Sequence, residues 1–202
     1  ADQVVLRLLE SEVLTGNIRE IPREGTLLPE TYRFTRGTTR EQMIRRMQQD
    51  QRRVVQVIWD RRVADLPITT MDQFVVLASI IEKETGRAAE REMIAGALVN
   101  RLKIGMLLQV DPTVIYGLGE SFDGNLKKIH LQTDGPYNSY LRPGLPPTPI
   151  AATGLGALRA ALRPAKTDAL YYVARGDGTS QFSRTLEEHN RAVRKYQLNG
   201  GR

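Results

Sequence analysis

The sequence predicts a mainly helical α+β fold. Three observations carry this: a long arginine-rich amphipathic run over 38–64, a nearly continuous apolar run over 71–85, and two short β-patterned stretches, 169–174 and 180–183, joined by Gly176-Asp177-Gly178. The chain has 202 residues, 41% of them hydrophobic. That suffices for one sizeable core with a small appendage.

Taken in order, residues 1–14 read as a short amphipathic helix, and 15–37 as loop and short strand punctuated by Gly16, Pro22, Gly25, Pro29 and Gly37. Thr38 or Thr39 then caps a helix through about residue 64, with Met43, Ile44, Met47, Val54, Val57 and Ile58 as its apolar contacts. Thr70 caps the apolar helix 71–85 and Gly86 stops it. A further helix over 88–103 ends at Gly105. Residues 106–150 are irregular, apart from a short helix opened by Asp111-Pro112-Thr113, with proline at its first position. A long irregular stretch inside a compact domain is usually functional. Thr153 caps a helix through 162, the hairpin follows, and a last helix over 185–197 opens with the capping box Thr185 and Glu188.

Composition excludes several chemistries. There is no cysteine, so disulfides, thiolate catalysis and thiolate metal sites are out. His130 and His189 are isolated, and no metal or organic cofactor is implied. The net charge of +6 suits an anionic polymer or lipid, or simply a solvated surface. No signal peptide or membrane-spanning run is visible. The apolar periodicity starting at Val4 has no start signal before it, so the sequence reads as part of a longer chain.

The apolar helix 71–85 ends in Glu82 and Glu84. Both meet the negative end of the helix dipole, and burial would add desolvation. Both effects favour the protonated carboxyl, which is what a general acid requires. Phe74, Leu77, Ile81 and Glu84 share one helical stripe, whereas Glu82 lies on another face with Val75, Ala78 and Ser79. Glu84 is therefore the first candidate acid and Glu82 the second. The bland alternative is a pair of solvated residues at a fraying helix end.

Four strings stand together: Ile80-Ile81-Glu82-Lys83-Glu84-Thr85, the run over 100–116 containing Gln109-Val110-Asp111-Pro112-Thr113, Pro136-Tyr137-Asn138-Ser139-Tyr140, and Gly144-Leu145-Pro146-Pro147-Thr148-Pro149-Ile150. In this order they closely resemble the MltG (YceG-like) family of endolytic murein transglycosylases. The resemblance runs over about residues 24–196, from Glu24-Gly25-Thr26 to Glu188-His189-Asn190. It implies a lysozyme-like catalytic domain over 38–202, preceded by the remnant of a LysM-like region over 1–37. It also implies a bacterial enzyme anchored by one N-terminal helix in the cytoplasmic (inner) membrane and working on its outer, periplasmic side. Peptidoglycan glycan strands would be its substrate and cell-wall synthesis enzymes its partners. Membrane contact would come only through the anchor, which is outside this sequence, and nucleic acid would not be a partner.

A looser resemblance to lysozyme-like lytic transglycosylases rests on Glu84-Thr85, the Gly105 to Thr113 string and Tyr137-Asn138. It implies that Glu84 protonates the bond between N-acetylmuramic acid and N-acetylglucosamine, then deprotonates the muramic C6 hydroxyl to leave a 1,6-anhydro end. Gln109 and Asn138 are amides suited to sugar acetamides and hydroxyls. Tyr137 and Tyr140 suit stacking on a sugar or hydrogen bonding to it. Asp111 is the nearby candidate for a second carboxylate, with helix capping as its bland role. Three rival functions are a non-catalytic glycan-binding scaffold, a basic nucleic-acid binder using the arginines of 38–64, and a hydrolase with Asp111 as base.

Overall fold

The computed structural model describes residues 1–198. Helix α1 (Asp2–Leu9) is shorter than the predicted 1–14, because the chain turns away after Glu10 donates its N–H to the Leu6 carbonyl. Residues 15–37 contain no strand, just an isolated parallel bridge between Thr15 and Thr39. The Arg40 guanidinium holds this segment down by donating to the carbonyls of Leu8, Leu9, Ser11 and Gly16.

Helix α2 (Arg40–Trp59) starts at a complete capping box between Thr39 and Gln42. It stops five residues before the predicted end. The N–H groups of Arg61 and Arg62 fold back on Ile58 and Trp59, and Asp65 takes a left-handed φ of 67°. Met43, Ile44 and Met47 of α2 are buried, the latter two clustering with Leu27. Val55 enters the main core, whereas Val57, predicted to be a core contact, is exposed.

Helix α3 (Met71–Glu84) is the centre of the molecule. Thr70 caps it, and Phe74, Leu77, Ile80 and Ile81 are completely buried. The predicted glycine stop is not what ends it. Thr85 adopts an extended backbone and accepts the Arg87 N–H on its hydroxyl, while Gly86 has no left-handed conformation. A 3₁₀ turn at Ala88–Glu90 leads into α4 (Arg91–Lys103), which Gly105 closes with φ 68°.

Helix α5 (Asp111–Leu118) opens as predicted with Pro112 in its first turn, but Val110 occupies the cap position and Asp111 is already helical. The stretch 106–150 is less irregular than its composition suggests: it also holds a 3₁₀ turn at Gly119–Ser121 and helix α6 (Lys128–Gln132). Helix α7 (Leu155–Leu162) packs more extensively on α3 than any other element does. Its cap is Gly154. Thr153, predicted to be the cap, is instead buried, with its hydroxyl accepting from Gln51 Nε2 at 2.9 Å.

Strands β1 (Tyr171–Ala174) and β2 (Ser180–Ser183) form an antiparallel pair with Tyr171 opposite Ser183 and Ala174 opposite Ser180. Helix α8 (Leu186–Val193) begins at the predicted Thr185–Glu188 capping box and winds on into a π turn at Arg194–Leu198. The hairpin and α8 pack on each other beside the C-terminal end of α3. That packing walls in the cleft.

Candidate active site

The end of α3 opens into a cleft of about 560 Å³, lined by Glu84, Arg101, Gln109, Asp111 and Tyr140 on one side and by β1 and α8 on the other. A larger groove, about 730 Å³, lies between α1, α2 and Pro29 to Phe34. It holds none of the acidic and aromatic residues gathered around Glu84, so size does not locate the chemistry.

Glu84 stands where burial withdraws water from its carboxyl. Desolvation is the main cause that raises its pKa above the ordinary 4.5, and the negative charge of Asp111 adds to it. Two groups oppose the rise. The Tyr172 phenol donates to Glu84 Oε2 at 2.6 Å, and the Arg101 guanidinium stabilises the anion from further off. Burial and the neighbouring Glu84 push the Tyr172 phenol well above its usual range, so it stays a donor.

Arg101 reaches the floor of the cleft from α4 with 6% of its surface exposed. Nε donates to the Leu170 carbonyl at 2.6 Å and Nη1 to the Leu108 carbonyl. Its guanidinium lies 5.5 Å from the centre of the Tyr171 ring and 5.8 Å from that of Tyr172. One buried cation thus ties α4 to β1 and to the segment before α5.

Asp111 is brought into the same cleft by its place at the start of α5. It accepts the Tyr140 hydroxyl on Oδ1 at 2.5 Å. Its side chain is therefore not a helix cap. Burial raises the Tyr140 pKa, and the hydrogen bond to Asp111 raises it further. Gln109 lines the cleft in a left-handed backbone conformation, φ 49°, with its N–H held by the Ser139 carbonyl at 2.9 Å. A non-glycine residue in that conformation is uncommon and concentrates at functional sites.

Three predicted site residues lie elsewhere. Glu82 accepts the Gly154 N–H at 3.0 Å and sits 3.9 Å from Arg91, so its charge caps α7. The Tyr137 ring packs edge-on against Tyr116, and its hydroxyl bonds Thr148 at 2.7 Å. Asn138 is buried. Its amide donates to the carbonyls of His130, Leu131 and Thr133, and its Oδ1 accepts the Tyr140 N–H. Tyr137 and Asn138 therefore build the loop that presents Tyr140, and do not line the cleft themselves.

The structure adds Tyr172, Arg101, Tyr171 and His189 to the site. His189 stacks on Tyr171 at 5.3 Å, and burial, then Arg101, lowers its pKa, keeping it neutral. One signal for the tyrosines was present: with two in succession on a strand, one ring must lie on whichever face meets the cleft. Among the described residues, no group of three or more His, Cys, Asp or Glu could hold a metal ion. No described helix is long and apolar enough to cross a membrane.

Fold and cleft together define a mainly helical α+β protein with a desolvated acid at the end of its central helix. The chain belongs to the YceG-like family, whose model matches residues 2–195. It is 40% identical, over 92% of its length, to a Bacillus subtilis protein named endolytic murein transglycosylase, of which it covers 51%. It is 29% identical, over 94% of its length, to a Streptococcus pneumoniae protein of the same name, of which it covers 35%. The crystal structure of a YceG-like protein from Listeria monocytogenes superposes with a TM-score of 0.71 at 39% identity, covering 83% of this chain and 54% of that one. The chain thus spans about half the length of its Bacillus relative and about a third of its Streptococcus relative.

Proposed function

We propose that this chain is the catalytic part of an endolytic peptidoglycan lytic transglycosylase. It cleaves the bond between N-acetylmuramic acid and N-acetylglucosamine within glycan strands, and Glu84 acts first as acid and then as base. The observation that carries this reading is the environment of Glu84: a desolvated carboxyl with a raised pKa, open to a cleft and held on one oxygen by Tyr172.

Tyr172 occupies Oε2, so the acidic proton rides on Oε1. Glu84 delivers that proton to the glycosidic oxygen as the C1–O bond breaks. The departing strand leaves with a hydroxyl, and positive charge develops at C1 and the ring oxygen. Glu84 is now an anion, which the Tyr172 donor and the distant Arg101 charge stabilise. It takes the proton of the muramic C6 hydroxyl as that oxygen closes on C1. The product is a 1,6-anhydro end, no water is consumed, and Glu84 is protonated again. The negative Asp111, held by Tyr140, favours the positive charge at C1. Gln109 and Tyr140 offer hydrogen bonds to the sugar.

Residues 1–37 form the end of a LysM-like region, and 38–202 the lysozyme-like catalytic domain. In the full-length protein, a helix in the cytoplasmic membrane holds this domain on the outer side, next to newly made strands and the enzymes that make them.

A second reading has one observation in its favour. Asp111 shares the cleft with Glu84, and two carboxylates are the usual equipment of a glycoside hydrolase. Digesting uncrosslinked strands and weighing the products by mass spectrometry separates the two. The first reading expects anhydro ends; reducing ends that have gained water would establish the hydrolase. In the same assay Glu84→Gln should lower the rate by roughly 10² to 10⁴. Near-normal turnover by Glu84→Gln, with Glu82→Gln inactive, would move the role to Glu82.

A further inference from the structure

Gln109 is exposed in the cleft, yet its backbone is held in the left-handed region, where glycine is the ordinary occupant. Nothing about an exposed glutamine favours that conformation. The hydrogen bonds on either side of it impose it. The peptide plane before Gln109 offers its carbonyl, that of Leu108, to the Arg101 guanidinium and donates its N–H to the Ser139 carbonyl at 2.9 Å. The peptide plane after Gln109 donates its N–H, that of Val110, to the Ser139 hydroxyl at 2.9 Å. A residue has two soft dihedrals, and each orients one of these planes. Ser139 thus fixes both, with its carbonyl on one plane and its hydroxyl on the other.

The hydroxyl is itself held. Thr113 Oγ1 lies 2.7 Å from the Val110 carbonyl oxygen and 2.7 Å from Ser139 Oγ. The carbonyl can only accept, so the Thr113 proton goes there, and the Ser139 hydroxyl donates to Thr113. The result is a closed circuit: Val110 N–H to Ser139, Ser139 to Thr113, and Thr113 back to the Val110 carbonyl. Each bond in such a chain polarises the next. Val110, Thr113 and Ser139 are all buried, where an N–H without a partner is costly. Were the turn alone required, a glycine at position 109 would supply it without strain. The network instead holds a residue with a long amide side chain in a glycine's conformation, at the wall of the cleft.

We propose that Ser139 is a positioning residue for strand cleavage: its hydroxyl, backed by Thr113, keeps Gln109 left-handed and the Gln109 amide turned to the sugar beside Glu84. The assignment rests on the strand-cleaving activity proposed above. Ser139 is buried and does not line the cleft, so it touches no substrate and acts through Gln109. Without the hydroxyl, the Val110 N–H is buried with no partner. Turning that plane to find one releases Gln109 from the left-handed region and takes its side chain away from the sugar.

The test is a double-mutant cycle on kcat/KM for uncrosslinked strands, with Ser139→Ala and Gln109→Ala alone and combined. Misplacing a group that positions substrate is costly, so Ser139→Ala should lose roughly ten- to a hundredfold. In the Gln109→Ala background the same change should cost about twofold or less, since the group it positions is already gone. A residue that merely stabilised the loop would cost the same factor in both backgrounds. Equal losses, or no loss in either, overturns the role. If thermal melts show Ser139→Ala unfolded, Ser139→Cys carries the same cycle, because a thiol fills the site but accepts a hydrogen bond weakly. Titrating Glu84→Gln with the disaccharide of N-acetylglucosamine and N-acetylmuramic acid, followed by NMR of the Gln109 side-chain amide, separates the two proposals. An amide shift that is lost when Ser139→Ala is added, with no strand cut by the parent protein, removes the activity and keeps the role of Ser139. Strand cutting with an amide shift that Ser139→Ala leaves unchanged removes the role of Ser139 alone.

Discussion

The Tyr172 phenol donates a hydrogen bond to Glu84 Oε2 at 2.6 Å across 88 positions of sequence. The end of the central helix is thereby locked to the hairpin. The bond also works against the desolvation that raises the Glu84 pKa, so the acid is tuned by two opposed effects.

Removing the phenol oxygen tests that tuning. Tyr172→Phe keeps the ring against Phe182 and deletes the donor. The hydrogen bond favours the carboxylate, so its loss should raise the Glu84 pKa further. Activity that depends on a protonated acid falls as pH rises through that pKa. The alkaline limb of the pH–rate profile should therefore move to higher pH in Tyr172→Phe. The maximal rate should also fall, since the anion formed in the first step has lost a donor. A variant that had merely disturbed packing would lower the rate and leave the limb in place.

Glu84 should cost stability at neutral pH. Its pKa is higher in the folded chain than the ordinary 4.5. The protonated form is thus favoured by folding, and that contribution is complete below the unfolded value and disappears as pH rises through the folded one. Glu84→Gln does not titrate there. Its Tm relative to the parent protein should rise from acid to neutral pH, and the two Tm curves should converge in acid. Thermal melts across that range read this directly.

Asn138 is expected to matter to the fold rather than to the chemistry. Its amide satisfies three backbone carbonyls, at 3.2, 3.1 and 2.7 Å, in the loop that carries Tyr140. Asn138→Ala should lower stability by about 2 kcal/mol, measured by chemical denaturation. Unchanged stability with lost activity would instead argue for a direct role on the sugar.

The central helix was legible because its signals are local. Apolar residues on nearly every side, a threonine cap and a carboxylate on the Phe74–Leu77–Ile81 stripe all lie within 15 residues. The hairpin and the Thr185–Glu188 capping box were legible for the same reason. Part of what surrounds Glu84 was not. Arg101 and Tyr172 come from α4 and β1, and tertiary packing alone decides that they meet. Tyr137 and Asn138 were assigned to the cleft because amides and phenols suit sugars, but the loop needed their hydrogen bonds first. Thr153 looked like a cap by residue type, yet Gln51 claimed its hydroxyl and Glu82 supplied the charge at α7. Glu82 and Glu84, two apart, did go to different faces, as helical geometry requires.

The central claim is a proton retained on Glu84, and titrating that carboxyl measures it most directly. With ¹³C-labelled glutamate and Glu84→Gln to assign the signal, NMR should find Glu84 titrating clearly above 4.5, in step with the alkaline limb of strand cleavage. A carboxyl that ionises at or below 4.5, while strand cleavage persists at neutral pH, would contradict the account.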